Sequence, residues 1–402
     1  SYGNSLKKAR NVIVNNQGSV ERRPGTFFRA DLGGQSRLES FIFSESQEYV
    51  FAFQNTQLKI YSTAGVLLQT ITSCSWTTSQ LFELTMTNQG DTMIIAHEDF
   101  MPVIIKRTGA TTFTKSTFAF DTSINSKRTY QPYFKFADDS ITLDLSSYSA
   151  GTGITCTASS SYFTSDYVGT KLLFNDKVEA SITAYTSGTE VTVTLNDDLQ
   201  TELDEDPFAT KQDTDQVKVT HVAHGLSNSS SINISGAEDI FDTEGRSVTA
   251  SDDSPDGIAA ENMNGNRTIT VVDDDHYTFT TGNTGITSGN DIARESIDGG
   301  GVSVVIKSHA PTRSWKEQVF STPNGFPKTV CFHQQRLFFG GVTNIPDLLA
   351  GSKVSTFFNF DVGDANDADS IQIQIASDEI NEIRHLRSGK ELEILTNTAE
   401  FY

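Results

Sequence analysis

The sequence contains little cysteine, little proline and no long apolar run. Its three cysteines, Cys74, Cys156 and Cys331, lie far apart and form no Cys-x-x-Cys pair, which argues against a disulfide scaffold and a structural zinc site. No stretch approaches the roughly 18 consecutive apolar residues of a membrane-spanning helix, and no signal peptide is visible. These absences predict a protein that assembles in a reducing cytoplasm.

Motifs of catalysis and cofactor binding are also missing. Gly299-Gly-Gly301 is not followed by the Lys-Ser/Thr of a phosphate-binding loop. His333 is the best catalytic candidate, but no marked nucleophile such as a Gly-x-Ser-x-Gly elbow accompanies it. We interpret His221 and His224 as ordinary polar residues at a strand end. We therefore expect neither an enzyme nor a bound cofactor.

Two carboxylate-dense segments raise the possibility of a calcium site. The segment 361–369 lacks the glycine at position 6 and the bidentate glutamate at position 12 of an EF-hand loop. The run Asp273-Asp-Asp275 suits a hairpin turn better than a cation cage. We predict solvated turns at both places and no metal site.

Positive charge is scarce and unevenly placed. The chain has 30 Lys and Arg against 51 Asp and Glu, a net charge of −21. Residues 1–136 carry 14 basic and 10 acidic side chains, whereas residues 137–310 carry 8 basic and 29 acidic ones. A surface as acidic as the middle segment repels nucleic acid and anionic lipid.

This distribution nominates two sets of residues. The basic set near the N-terminus lacks an aromatic stacking pattern, so we predict a protein interface there rather than a nucleic-acid site. Its members are Lys7, Lys8, Arg10, Arg22 and Arg23. The acidic set is predicted to form a solvated surface or a channel wall. Its members are Asp197, Asp198, Glu202, Asp204, Glu205, Asp206, Asp273, Asp274 and Asp275.

Short strands with period-2 alternation dominate the rest of the chain. Two consecutive sets of four strands begin at Leu38 and Leu81, a repeat of 43 residues. Four strands per unit suit consecutive propeller blades, with a plain antiparallel meander as the alternative. A third set begins at Lys328 and is predicted to end with a strand at Phe357–Phe360. A fourth begins at Glu379, and the chain then stops in mid-blade.

The blade pattern is interrupted between Phe136 and Pro311. Strand patterns there predict two small acidic β modules, separated by a breaker-rich linker from Asp197 to Asp215. The fold class is therefore all-β: an incomplete β-propeller interrupted by two inserted small β modules. The predicted domains are a basic segment (1–36), first blades (37–136), acidic module 1 (137–210), acidic module 2 (211–310) and second blades (311–402).

The N-terminal segment carries a distinct turn signal. In Arg23-Pro-Gly-Thr26, proline presets φ for the first corner and glycine supplies the positive φ of a type II turn. Thr26, Phe27 and Phe28 then predict the start of a strand. Upstream, residues 4–13 suit a short helix capped by Asn4, although Val12–Val14 suits a strand equally well.

Several of these motifs resemble the nozzle (tail tubular protein B) family of short-tailed bacteriophages. The resemblance covers roughly residues 10–120 and 311–402. Its most specific parts are the Arg-Pro-Gly-Thr segment and the His333-Gln-Gln-Arg-Leu337 strand pair. Supporting motifs are Gly325-Phe-Pro327, Phe358-Asn-Phe360 and Leu392-Glu-Ile-Leu-Thr396. Residues 224–279 also resemble a small β module that is inserted in phage tail proteins.

The resemblance implies a structural virion protein. Nozzle proteins form a homohexameric ring at the distal end of a short tail and conduct the genome during ejection. The implied partners are sister subunits, the tail adaptor ring, tail fibres, the passing DNA and, indirectly, the host surface. The alternatives are a tail module that binds host polysaccharide and, less favoured, a tail depolymerase.

Three expectations follow for the arrangement of the chain. Propellers close with about four to eight blades, so the intact protein should continue beyond Tyr402. Residues near Phe136 and Pro311 should lie close in space, because the insertion interrupts adjacent blades. The basic segment and the acidic modules should face different neighbours.

Overall fold

The computed structural model describes residues 10–15, 18–210, 215–240, 258–281, 298–308, 311–363, 365–375 and 381–402. The chain forms two compact units. Unit 1 comprises residues 1–83, 88–93 and 105–115, and unit 2 comprises residues 84–87, 94–104 and 116–402. Within the described ranges, no helix has the length and apolar character needed to cross a membrane.

The first element of unit 1 is a two-stranded hairpin. Strand β1 spans Val12–Val14 and pairs antiparallel with β2, Val20–Arg22. The helix suggested for residues 4–13 is therefore wrong from residue 12 onward, because the β-branched run Val12-Ile-Val14 favours a strand. Residues 4–9 lie outside the described residues.

The Arg-Pro-Gly segment after this hairpin differs from its prediction. Gly25 does not adopt a positive φ, and residues 23–30 form no strand. Phe27 and Phe28 are 87% and 80% exposed. Aromatic residues favour strands where they pack on a half-buried pleated surface, and the described residues of unit 1 do not bury these two rings.

The first blade-like sheet follows, with its four strands in sequence order. Its aromatic core includes Phe41 and Phe51, whose rings stack at 4.9 Å, and Phe113 packs edge-on against both. Burying each such ring contributes about 1.5–3 kcal/mol. The strands are β3 (Arg37–Ser44), β4 (Gln47–Gln54), β5 (Gln57–Ser62) and β6 (Leu67–Thr72).

The second predicted set of four strands is also one antiparallel sheet, with the order β10-β9-β8-β7. Ile94 and Ile104 of this sheet belong to a core cluster of unit 2 that also contains Leu337 and Phe339. The strands are β7 (Thr85–Gln89), β8 (Thr92–His97), β9 (Phe100–Arg107) and β10 (Phe113–Thr117).

Module 1 is built on a seven-stranded sheet with the order β11-β26-β14-β15-β16-β13-β12. Its first six strands in the chain are β11 (Tyr133–Phe134), β12 (Leu143–Leu145), β13 (Gly151–Ala158), β14 (Lys171–Phe174), β15 (Val178–Ser187) and β16 (Glu190–Leu195). The seventh, Trp315–Gln318, is β26 by its place in the chain. A short 3-10 helix, Ser165–Tyr167, precedes β14.

The pairing of β11 with β26 tests the expected closeness of the two ends of the insertion. Tyr133 lies opposite Gln318, and Phe134 lies opposite Glu317. The prediction that the chain leaves and returns at neighbouring points is confirmed.

Module 2 contains two sheets, with the orders β17-β25-β20-β21 and β22-β23-β19-β18-β24. A short helix, α1 (Ala260–Met263), packs Met263 into the core that the two sheets share. The strands are β17 (Thr201–Glu202), β18 (Phe208–Thr210), β19 (Gln216–Thr220), β20 (Ser231–Ser235), β21 (Gly265–Thr268), β22 (Thr270–Asp273), β23 (His276–Thr280), β24 (Asp298–Gly299) and β25 (Val305–Ser308).

The prediction of a linker from Asp197 to Asp215 is wrong, because two strands within this range belong to the sheets of module 2. Strand β17 pairs with β25, and β18 pairs with β19 and β24. The acidic composition suggested a solvated connection, but Leu203 and Phe208 are apolar and pack with the core of module 2. Residues 211–214 lie outside the described residues.

The second blade region contains a four-stranded sheet, β27-β28-β29-β30, and a three-stranded sheet, β31-β32-β33. The fourth strand of the former is not Phe357–Phe360 as predicted, because those aromatic residues lie in a loop packed on the core of unit 2. The strands are β27 (Thr329–His333), β28 (Arg336–Val342), β29 (Ile345–Gly351), β30 (Ile371–Gln374), β31 (Ile383–Ser388), β32 (Leu392–Thr396) and β33 (Glu400–Phe401). Residues 379–380 of the predicted strand Glu379–Leu386 lie outside the described residues.

The predicted fold class is confirmed. The chain is all-β, with blade-like antiparallel sheets of four strands and two inserted β modules. The predicted domain boundaries at residues 36, 136, 210 and 310 remain predictions.

Candidate assembly surface and polar clusters

We call residues 10–32 the N-terminal arm. Its hairpin places Val12 opposite Arg22 and Val14 opposite Val20. Ile13, Val14 and Val20 are each about half exposed (47%, 52% and 48%). An isolated two-stranded hairpin is at best marginally stable in water, so the arm exposes apolar surface without a core of its own.

The arginines of the arm have no acidic partner in the described part of the chain. Arg10, Arg22 and Arg23 are exposed, and none forms an ion pair within the described part of the chain. The two lysines predicted with them, Lys7 and Lys8, lie outside the described residues. A guanidinium carries five donors in a planar fork that matches a carboxylate, so this cluster can bind an acidic surface.

The base of the arm is fixed to the first sheet. The carbonyl of Leu32 accepts hydrogen bonds from Gln54 Nε2 (2.8 Å) and Lys59 Nζ (2.9 Å). Gly65 has a φ of +87°, and a Cβ there would lie 2.5 Å from the carbonyl oxygen of Arg29. Residues 29–32 are therefore held in place while the basic and aromatic residues before them remain exposed.

Four members of the acidic set near β17 have hydrogen-bond or ion-pair partners in the structure, and the solvated surface or channel wall expected of the set stays a prediction. Asp197 binds Lys127 at 2.8 Å, and Glu202 binds Lys177 at 2.9 Å. Asp198 binds Lys307 and also accepts the backbone N–H of Ala150. Asp206 accepts the N–H of Gly301 at 3.0 Å.

Asp204 and Glu205 differ from these neighbours. Both are exposed, and neither carboxylate has a hydrogen-bond or ion-pair partner among the described residues. In this they differ from Glu202 and Asp206, which are also exposed but have partners.

The run Asp273–Asp275 forms the hairpin turn that the sequence predicted. Asp273 pairs with His276 across the loop, and its Oδ1 accepts the N–H of Asp275 at 2.9 Å. Hydrogen bonds from Asp275 N–H and from His276 hold the pKa of Asp273 below its usual value. Asp275 in turn accepts the N–H of Ala223 at 2.8 Å.

Two histidines lie buried against this turn. His224 Nδ1 accepts the N–H of Leu226 at 2.9 Å, so the proton resides on Nε2, which donates to the carbonyl of Asp273 at 3.0 Å. His221 Nδ1 lies 3.3 Å from the hydroxyl of Tyr277. Burial lowers the pKa of His221 to about 4. Both histidines occupy structural positions, as the sequence suggested, and His221 is neutral near pH 7.

A buried carboxylate, Glu179, joins module 1 to the segment before it. Its side chain is 1% exposed and binds Lys171 Nζ at 2.7 Å. It also accepts the N–H of Thr129 and the hydroxyl of Tyr133, each at 2.7 Å, and Asn196 Nδ2 at 3.1 Å. Period-2 alternation could not identify this cluster, because its members come from three separate segments of the chain.

The acidic segment 361–369 is anchored by cations at both ends, while residues 365–368 are exposed, in agreement with the predicted solvated turn. Arg128 binds Asp361 at 2.8 Å, and Lys353 binds Asp369 at 2.8 Å. The buried Arg336 donates to the carbonyls of Asp367 and Asp369. Within the described residues, no three His, Cys, Asp or Glu side chains are grouped to hold a metal ion.

His333 ends strand β27 at a hairpin whose two loop residues, Gln334 and Gln335, have φ of 42° and 63°. This is the left-handed geometry of a type I′ turn, so the motif of the resemblance builds a tight strand pair. His333 Nδ1 lies 3.0 Å from the hydroxyl of Ser388, a partner that the sequence did not indicate. In the described ranges no carboxylate binds His333, so a catalytic triad is not assembled there.

Comparison with known proteins gives little. The chain matches no protein-family model and no curated protein. Among solved structures it is similar to "Phage phi92 endosialidase", with 10% sequence identity and a TM-score of 0.18. The alignment covers 89% of this chain and 42% of that one, so the chain spans less than half the length of the structure it matches. A likeness of this size carries no argument about fold or activity.

Proposed function

We propose that the protein is a structural component of a bacteriophage tail, the nozzle, and forms a homohexameric ring that conducts DNA during ejection. It acts mechanically and not as an enzyme. The observation that carries this proposal is the N-terminal arm: an exposed basic and aromatic segment fixed at its base to an all-β body. The sequence motifs that resemble the nozzle family are the reason for proposing this particular tail component.

The arm is built for a partner of opposite charge. Its exposed phenylalanines and half-exposed hairpin gain free energy from burial, at about 25 cal/mol per Å² of apolar surface. Its arginines suit carboxylates through bidentate hydrogen bonds. Each sister subunit carries 51 acidic against 30 basic side chains, so carboxylates are available to pair with these arginines.

The free acidic residues support a channel that does not retain DNA. Each phosphate that a protein neutralises adds affinity through counterion release. Exposed carboxylates such as Asp204 and Glu205 oppose that binding. In this proposal the acidic modules repel the duplex while the arm binds the neighbouring subunit.

The proposal extends to the partners and location that the resemblance implies. The ring would lie below a tail adaptor ring and beside tail fibres, in a virion assembled in the host cytoplasm. Each of these contacts needs a surface beyond the arm, and the arm remains the one for which the structure supplies a specific set of residues.

Electron microscopy of the purified protein tests the proposal, together with a duplex-DNA binding assay at physiological salt. We expect a ring with a central hole and no measurable retention of DNA. A monomer that binds host polysaccharide would favour the alternative tail module. A monomer without a ring at any concentration up to that of a virion assembly reaction would overturn the nozzle assignment.

A further inference from the structure

A small cavity in unit 2 gathers three cations in an otherwise acidic region. It has a volume of about 130 Å³ and is lined by Lys135, Asp139, Leu173, Asp176, Arg313, Ser314, Trp315 and Lys316. Strand pairing explains the grouping. Leu173 lies opposite Lys316, and Lys135 follows directly on β11, the neighbouring strand on the other side of β26.

The ammonium of Lys135 is poorly satisfied. It lies 3.5 Å from the centroid of the Trp315 ring, an attractive cation–π contact. Its hydrogen bond to the carbonyl of Arg313 is long, at 3.4 Å, although an ammonium has three protons to donate. Burial lowers the pKa of Lys135 to about 8, as expected for a cation that lacks full solvation.

Arg313 is the second open donor. Its side chain is exposed and has no hydrogen-bond or ion-pair partner within the described residues. Lys316, in contrast, is occupied by Asp176 at 2.6 Å. The guanidinium of Arg313 and the ammonium of Lys135 are therefore available to a ligand. The ammonium of Lys316 is not, because Asp176 in the cavity lining binds it.

We propose that this cavity binds the carboxylate group of a small molecule, held by Arg313 and Lys135. Three cations and two carboxylates give the lining a net charge of +1, which a monoanion balances and a dianion such as phosphate does not. The guanidinium fork matches the two oxygens of a carboxylate. The site is independent of the nozzle assignment, because it lies in module 1 and its flanking strands and uses no residue of the arm.

The negative charge of Asp139 opposes the binding of an anionic ligand. Asp139 lines the cavity, and its charge acts on Lys135. If the proposal is right, removing that charge by Asp139→Asn strengthens binding several-fold, whereas Arg313→Gln weakens it about tenfold or more.

The test is a titration of the full chain with sodium acetate, with sodium chloride at equal ionic strength as the reference and tryptophan fluorescence as the signal. We expect a saturable response with a Kd of roughly 1 mM, corresponding to about −4 kcal/mol, and a weaker response to inorganic phosphate. Lys218→Gln is the matched control, because Lys218 is an exposed cation remote in sequence from the cavity and its loss changes the net charge equally.

Two outcomes would overturn the site: equal acetate affinity in Arg313→Gln and Lys218→Gln, or tighter binding of phosphate than of acetate. A second titration with glucuronate in place of acetate distinguishes a simple carboxylate ligand from a carboxylated sugar. Equal affinities support a site for the carboxylate alone, and tighter glucuronate binding supports a carboxylated sugar.

Discussion

The N-terminal arm and the acidic modules carry opposite charges and use them differently. In the arm, Arg10, Arg22 and Arg23 are exposed and form no ion pair within the described residues. In the modules, Asp197, Asp198 and Glu202 each bind a lysine. The acidic excess thus serves partly to hold the modules together, while the arginines Arg10, Arg22 and Arg23 of the arm have no acidic partner among the residues that the structure describes.

Because of this difference, the net charge of the protein is the sum of charged residues that have separate roles. An exposed ion pair contributes about 0–1 kcal/mol to stability, so the paired acids are minor individually. Asp204 and Glu205 remain available for repulsion of a polyanion. Charge in this chain therefore divides into a structural part, a repulsive part and the unpaired arginines.

The strongest way to test the structural part is Glu179→Ala. The substitution leaves Lys171, Tyr133 and the N–H of Thr129 without their shared acceptor. Breaking a buried pair by removing one partner costs about 3–5 kcal/mol, and we expect that loss in the free energy of unfolding measured with denaturant. Glu190→Ala is the control, because the carboxylate of Glu190 on β16 has no hydrogen-bond partner among the described residues. A loss of less than about 1 kcal/mol at Glu179 would show that the cluster behaves as an exposed pair.

A second test uses the pH dependence of stability. Module 2 contains the buried His221, whereas the arm has no histidine and should not show this dependence. The pKa of His221 is lowered to about 4 in the folded protein from 6.5, so the unfolded chain binds the proton first as pH falls. The contribution of the neutral His221 side chain to the free energy of unfolding is complete above about pH 6.5. It is lost progressively as the pH falls toward 4. Between pH 7 and pH 5 we expect a loss of about 2 kcal/mol in the unfolding free energy of module 2.

The control is His221→Gln, which should be less stable at pH 7 but lack this pH dependence. The pKa of Asp273 is held below its usual value of 3.8, so this carboxylate affects the unfolding free energy only below that pH. It does not contribute to the change between pH 7 and pH 5. An unchanged pH profile in His221→Gln would assign the acid sensitivity to another group.

The smallest effect on stability is expected for the free acidic residues. Asp204→Lys with Glu205→Lys should change the unfolding free energy by less than about 0.5 kcal/mol, since neither carboxylate has a partner among the described residues. The variant should nevertheless gain duplex-DNA binding that weakens steeply with salt, measured by fluorescence anisotropy. Absence of any gain would remove these two residues from the DNA path.

The sequence predicted the strands well where alternation and tight turns coincide. Period-2 alternation in the sequence predicts strands at Gln47–Gln54, Lys171–Phe174 and Glu190–Leu195, and the structure has strands with these same bounds. Apolar positions on one face of a pleated strand leave a period of two that needs no tertiary information.

Tertiary contacts explain the failures. Phe357–Phe360 is aromatic and strand-like, yet its rings pack as a loop on a core formed by distant strands. The turn at Pro24-Gly25 has the right residues, but Gly25 does not adopt a positive φ and residues 23–30 form no strand. Spacing along the sequence also could not show that Lys127 and Lys307 pair with Asp197 and Asp198, because these partners are distant in the chain.

The central claim is that the unpaired charge of the arm binds a sister subunit. The most direct measurement is the mass of the particle by light scattering, for the wild type and for Arg22→Glu with Arg23→Glu, over a range of protein concentrations. Lys218→Glu with Lys390→Glu is the matched control, because both lysines are exposed and have no ion-pair partner within the described residues. We expect a closed oligomer for the wild type and the control, and an association at least about 100-fold weaker, some 2.7 kcal/mol, for the arm variant. An arm variant that assembles as the wild type does would contradict the account.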